Sequence, residues 1–91
     1  MIPKEFTIGG GRKIKVCIEE KGDNFGNWDD RECKINLFKN IDSGEVCEED
    51  IERTFYHELI HCFQFFYNCE IDEAQAQTFS NFIYEYIHSR K

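Results

Sequence analysis

The sequence predicts an α+β fold, a small antiparallel three-stranded sheet followed by two helices. Two observations predict it. Apolar and polar residues alternate over residues 6–18 and again over 33–38, the period of strands, whereas from Glu48 apolar residues recur on the 3.6-residue period of a helix. Clusters of Gly, Asn and Asp separate the runs, so the coarse order is β-β-β-α-α.

Residues 6–18 alternate around Gly9-Gly10-Gly11, with Phe6 and Ile8 before it and Ile14, Val16 and Ile18 after it, which predicts a hairpin with a glycine turn. Residues 22–31 hold Gly22, Asp23, Asn24, Gly26, Asn27, Asp29 and Asp30 and predict a loop with Trp28 folded inward. Cys33-Lys34-Ile35-Asn36-Leu37-Phe38 alternates again and predicts the third strand, ended by Asn40, Asp42, Ser43 and Gly44.

Ile51, Phe55, Leu59, Cys62, Phe63 and Phe66 fall on one arc at about 100° per residue, predicting an amphipathic helix from roughly 48 to 67. Glu48, Glu49 and Asp50 occupy its first turn, where carboxylates suit the positive end of the macrodipole. Asp72 and Gln75 have the spacing of a capping box and open a second helix reaching about Ser89. Its predicted apolar face is Ala76, Phe79, Phe82, Ile83, Tyr86 and Ile87.

A chain of 91 residues has room for one modest core, and 41% hydrophobic with 15% aromatic content is globular rather than disordered. No repeat or linker divides it, so residues 1–91 are expected to form a single domain, and a bound metal would help so small a domain stay folded. The net charge of −7, from 18 acidic and 11 basic residues, argues against a nucleic acid or an anionic membrane as partner. The N-terminus carries no signal-like apolar run and no stretch approaches the roughly 20 apolar residues of a span, so a cytoplasmic location is expected. Five cysteines form an odd set with no C-x-x-C pair, which fits neither a disulfide framework nor a zinc ribbon and reads as small buried apolar residues.

His57-Glu58-Leu59-Ile60-His61 lies in the middle of the first predicted helix. Histidines four apart on a helix point the same way, so two imidazoles can reach one ion, while the intervening glutamate stands beside it unligated. Two of the chain's three histidines fall in this motif. They share a polar arc with Asp50, Arg53, Thr54 and Gln64, which would also describe a plain solvated face. A catalytic zinc keeps three protein ligands and one open position. Glu73, twelve residues past His61 and at the margin of the second helix's apolar face, is the preferred third ligand; Glu70, Asp72 and Glu85 are the alternatives. Glu58 is the candidate general base, and an extended peptide substrate would lie along the strand Lys34–Phe38 by β-augmentation. Tyr67, Tyr84, Tyr86 and His88 are oxyanion-donor candidates by residue type alone.

His57-Glu58-Leu59-Ile60-His61-Cys62, followed by Glu73-Ala74-Gln75-Ala76-Gln77-Thr78-Phe79-Ser80 and preceded by an Ile-Gly-Gly hairpin and a Trp-Asp loop, resembles small phage- and prophage-encoded zinc-metallopeptidase-like proteins. These look like minimal gluzincins, distant relatives of the ImmA/IrrE metallopeptidases. The resemblance runs from about Ile8 to Tyr86 and implies a zincin-like fold, with zinc bound by His57, His61 and Glu73, and Glu58 as general base. It implies a peptide or protein substrate. A zinc-stabilised binding module without turnover is the alternative that the small size suggests.

Overall fold

The computed structural model describes residues 2–67 and 70–89. The predicted glycine hairpin is present. Strand β1, Glu5–Ile8, pairs antiparallel with β2, Arg12–Glu19, across a turn in which Gly10 and Gly11 both hold φ 79°, a left-handed conformation that favours glycine.

The sheet has four strands and is mixed, which corrects the three-stranded antiparallel expectation. The fourth strand lies inside the expected loop. Gly26–Asp29 forms β3, pairing antiparallel with β4, Lys34–Phe38, through Trp28↔Ile35 and Asn27↔Asn36. The tight turn between them is held by Asp29 Oδ1, which accepts from the backbone N–H groups of Arg31 (3.0 Å) and Glu32 (3.1 Å). Once β3 doubles back onto β4, β4 must run in the direction of β2, and the two pair in parallel from Lys15↔Lys34 to Glu19↔Phe38. The order is β1-β2-β4-β3, so β3 is an edge and β4 is interior. A two-stranded hairpin, β5 (Asn40–Ile41) and β6 (Gly44–Glu45), follows where only the residues ending the third strand were expected.

Helix α1, Glu48–Phe66, and helix α2, Glu73–Ser89, match the predicted spans. α1 lies on β3 and β4, and α2 packs on α1. The core joins Ile14, Val16, Ile35 and Leu37 of the sheet to Phe55, Tyr56 and Cys62 of α1. Trp28 turns inward as expected, with its ring 5.7 Å from that of Phe66. The outer helix departs from its predicted apolar face. Ala76 and Ser80 are the buried positions, Ile83 and Ile87 are half-buried, and Phe79, Phe82 and Tyr86 are exposed. Small side chains at 76 and 80 let α2 approach α1 closely, and that rotates the large aromatics away. Of the cysteines only Cys62 is buried; Cys17 and Cys33 are half-buried and Cys47 is exposed, while Cys69 lies outside the described residues.

Candidate metal centre

α1 and α2 run side by side, and their facing polar residues form the site. His57 and His61 stand one turn apart on α1, and Glu73 opens α2 opposite them. The Nε2 atoms of the two histidines are 3.2 Å apart, and Glu73 Oε1 is 2.9 Å from His57 Nε2 and 3.1 Å from His61 Nε2. Three lone-pair-bearing atoms thus crowd one point and can hold a metal ion. In a tetrahedral site with ligand bonds of about 2.0–2.1 Å, neighbouring ligand atoms stand roughly 3.3–3.4 Å apart, so the triangle needs only a slight expansion to fit.

The face is not a solvated one. His61 is 6% exposed and Gln64, on the same arc, is 0% exposed. Gln64 Nε2 donates to Gln75 Oε1 (2.6 Å) and to the Asp72 carbonyl (3.4 Å), while Gln64 Oε1 accepts from the Asp72 backbone N–H (3.4 Å). Pairing with backbone groups fixes the amide's orientation, so His61 Nδ1–H donates to Gln64 Oε1 at 2.8 Å and Nε2 faces the cluster. Gln77 Oε1 accepts from His57 Nδ1 at 3.1 Å in the same role. The capping pair is modified accordingly. Asp72 Oδ1 accepts from Gln75 N (3.0 Å), but Gln75's side chain turns to Gln64 instead of back to Asp72.

The electrostatics call for a cation. Burial works against protonated His61, yet hydrogen bonds with Gln64 and Glu73 and the charges of Glu73 and Glu58 raise its pKa above the ordinary value. Hydrogen bonds from His57 and His61 hold the Glu73 carboxyl below the usual range against a small opposing effect of burial. A metal ion on these nitrogens would compete with protons for the same lone pairs.

Glu58 is outside the triangle. It is 8% exposed and shares the wall of a cleft with His57 and Glu73. Burial raises its pKa, and Glu73 adds to the rise; His57, His61 and a backbone hydrogen bond from Trp28 oppose it. The cleft has a volume of about 440 Å³ and runs along α1 past Thr54, Arg53 and Asp50 to Phe25 and Gly26 at the start of β3. A Cβ on Gly26 would stand 2.6 Å from Asn36 O and 2.8 Å from Thr54 Cγ2, so the absence of a side chain is what lets this edge come against α1.

Some expected participants are elsewhere. Lys34–Phe38 cannot accept a peptide as an added strand, because β2 and β3 already pair with both its edges; the free edge beside the cleft is β3. Glu70, Asp72 and Glu85 are not in the cluster. Tyr84 stacks on His88, which bonds Glu52 at 2.8 Å, and Tyr67 lines a separate cavity near Gly9; none of these, nor Tyr86, lines the cleft. Gln64 and Gln77 are the functional candidates that sequence reasoning left unassigned. Their signal was their placement: Gln64 three residues after His61 on the histidine arc, and Gln77 one turn after Glu73. Among the described residues no helix is long and apolar enough to cross a membrane. Comparison with protein families, characterised proteins and solved structures finds no match, so the chemistry of the centre is read from its own residues.

Proposed function

We propose that this chain is a minimal zinc-dependent metallopeptidase of the gluzincin kind, with a zincin-like arrangement of sheet and helices. The observation that carries it is the convergence of His57, His61 and Glu73 within 3.2 Å of one another, with Glu58 on the adjoining wall. A zinc ion held by these three groups would supply a Lewis acid that polarises a carbonyl and acidifies water by several pKa units. Glu58 is the general base. Its buried carboxylate has a raised proton affinity, so it takes a proton from the attacking water and returns it to the leaving amine. The edge of β3 aligns an extended peptide by backbone hydrogen bonds, and Gly26 keeps that edge close to the histidines. Gln64 and Gln77 hold the two imidazoles in the ligating tautomer.

A second reading, a zinc-stabilised binding module without turnover, is favoured by one observation. Among the described residues lining the cleft the one Lys or Arg is Arg53, which is held by Glu49 (3.0 Å) and Asn81 (2.8 Å) and so is drawn away from an oxyanion.

One substitution tests both. Glu58→Gln keeps the shape and removes the basic oxygen, so the variant is expected to retain one zinc per chain by elemental analysis and to lose hydrolysis of a peptide library by roughly 10²–10⁴-fold. Undiminished hydrolysis by the variant would sink the catalytic assignment. Zinc retention with no turnover in either protein would establish the binding module, and loss of zinc from the variant would make Glu58 a ligand.

A further inference from the structure

We propose that the far end of the cleft is a subsite for a lysine or arginine side chain of the peptide substrate, with Asp50 as the residue that selects it. The proposal rests on the peptidase reading and names its substrate class.

The charges along the cleft lead to it. Asp50, Arg53, Glu58 and Glu73 are the ionisable residues on its wall besides His57. Glu73 is engaged by both histidines, and Glu58 lies at the reacting end. Arg53 does not neutralise Asp50. Its Nε donates to Glu49 Oε2 (3.0 Å), one Nη donates to Asn81 Oδ1 (2.8 Å), and the guanidinium lies 4.0 Å over the Tyr84 ring, all of which draw it towards α2. No hydrogen bond or ion pair joins the Asp50 carboxylate to another described residue. The cleft therefore ends in an exposed carboxylate that no side-chain cation among the described residues pairs with. Beside it stands Phe25, 44% exposed, an apolar surface for an aliphatic stem and a π-face for the cation it carries.

Distance decides which amine fits. Asp50 and His57 are seven residues apart on one helix, a rise of about 10 Å. A free α-amino group on the residue that bears the reacting carbonyl would stand only about 2.5 Å from that carbon, two covalent bonds away, and would fall well short of Asp50. A lysine stem spans about 6 Å and stands across the strand, so one or two residues from the cleaved bond, at about 3.3 Å per residue, its amine lies roughly 7–9 Å away and the Asp50 side chain spans the remainder. A basic side chain within two residues of the cleaved bond can reach Asp50; an N-terminal amine at that bond cannot.

The test uses labelled hexapeptides that differ only at one central position, Lys, Arg, norleucine or Glu, titrated by fluorescence anisotropy into zinc-supplemented Glu58→Gln protein so that binding is read without turnover. A companion peptide begins at that central position, so that its only positive charge is a free α-amino group beside the bond to be cleaved. Lys and Arg peptides are expected to bind about tenfold more tightly than the norleucine peptide and to weaken with added salt. Asp50→Asn should erase the preference, and Asp50→Lys should turn it towards the Glu peptide. Equal affinity for Lys and norleucine, a preference that survives Asp50→Asn, tightest binding of the N-terminal amine, or no binding at all would each overturn the proposal. Zinc content and hydrolysis by the wild-type chain are measured in parallel. An Asp50-dependent preference without hydrolysis leaves the subsite standing and removes the peptidase, whereas hydrolysis without the preference does the reverse.

Discussion

Gln64 is the residue on which the candidate centre turns. A fully buried amide is costly unless its donors and acceptor are met, and here they are spent on Asp72, Gln75 and His61. Gln64→Leu, of similar size, leaves the His61 Nδ1–H and the Asp72 N–H without this partner. We expect a loss of about 1–3 kcal/mol in urea denaturation and a 10–100-fold weaker zinc affinity in competition with a chromophoric chelator. Unchanged affinity would mean that His61 is oriented by something else. The third ligand is tested by the same competition: Glu73→Ala should weaken zinc at least about tenfold, whereas Glu85→Ala, outside the cluster, should not. The histidine pair was legible because a spacing of four on a helix fixes direction. Gln64 was not, since a polar arc facing a second polar helix has the same pattern as one facing water, and only the tertiary contact separates them.

The strand β3 shows where local pattern fails. Gly26-Asn27-Trp28-Asp29 holds one large apolar residue and three turn-formers, so nothing in its period marks it as extended. It is a strand because β4 offers it a partner and because Trp28 is seated against Phe65 and Phe66. Missing it also hid the parallel pairing of β2 with β4, which needs a strand between them in sequence to reverse the chain. A similar limit applies to α2. A wheel ranks Phe79 and Phe82 above Ala76 and Ser80 for burial, but close helix contact selects the small pair. Gly26→Ala tests the importance of the edge. The added methyl meets the Asn36 carbonyl, which is backbone and cannot rotate away, so a loss of about 1–3 kcal/mol is expected. For a domain of this size that is a fall of about 4–8 °C in Tm per kcal/mol, readable by calorimetry. A variant as stable as the parent would show that β3 does not need its close approach to α1 and Thr54.

At the scale of the whole molecule the two helices are unequally secured. α1 is anchored on β3 and β4 through Phe55, Cys62 and their neighbours, whereas α2 packs chiefly on α1 and leaves Phe79, Phe82 and Tyr86 in solvent. A small sheet with one well-packed helix supplies limited burial, so any tie between α1 and α2 carries a large share of the order in α2. His57, His61 and Glu73 are such a tie, because a metal held by all three crosses from one helix to the other. Binding to the folded state alone stabilises by about 2.7 kcal/mol when free zinc is a hundredfold above its Kd, which at this size corresponds to roughly 10–20 °C in Tm. Chelation should therefore lower Tm by that order, and the loss should be unevenly distributed. Hydrogen exchange in chelator should quicken first along residues 73–89, while amides of β2 and β4, paired in the centre of the sheet, keep their protection. His57→Ala should behave in zinc as the wild type does in chelator, since a single imidazole and Glu73 make too few ligands for tight binding. Uniform exchange across both helices and the sheet would show that the domain unfolds as one unit; an unchanged Tm on removing stoichiometric zinc would place the metal somewhere other than between α1 and α2.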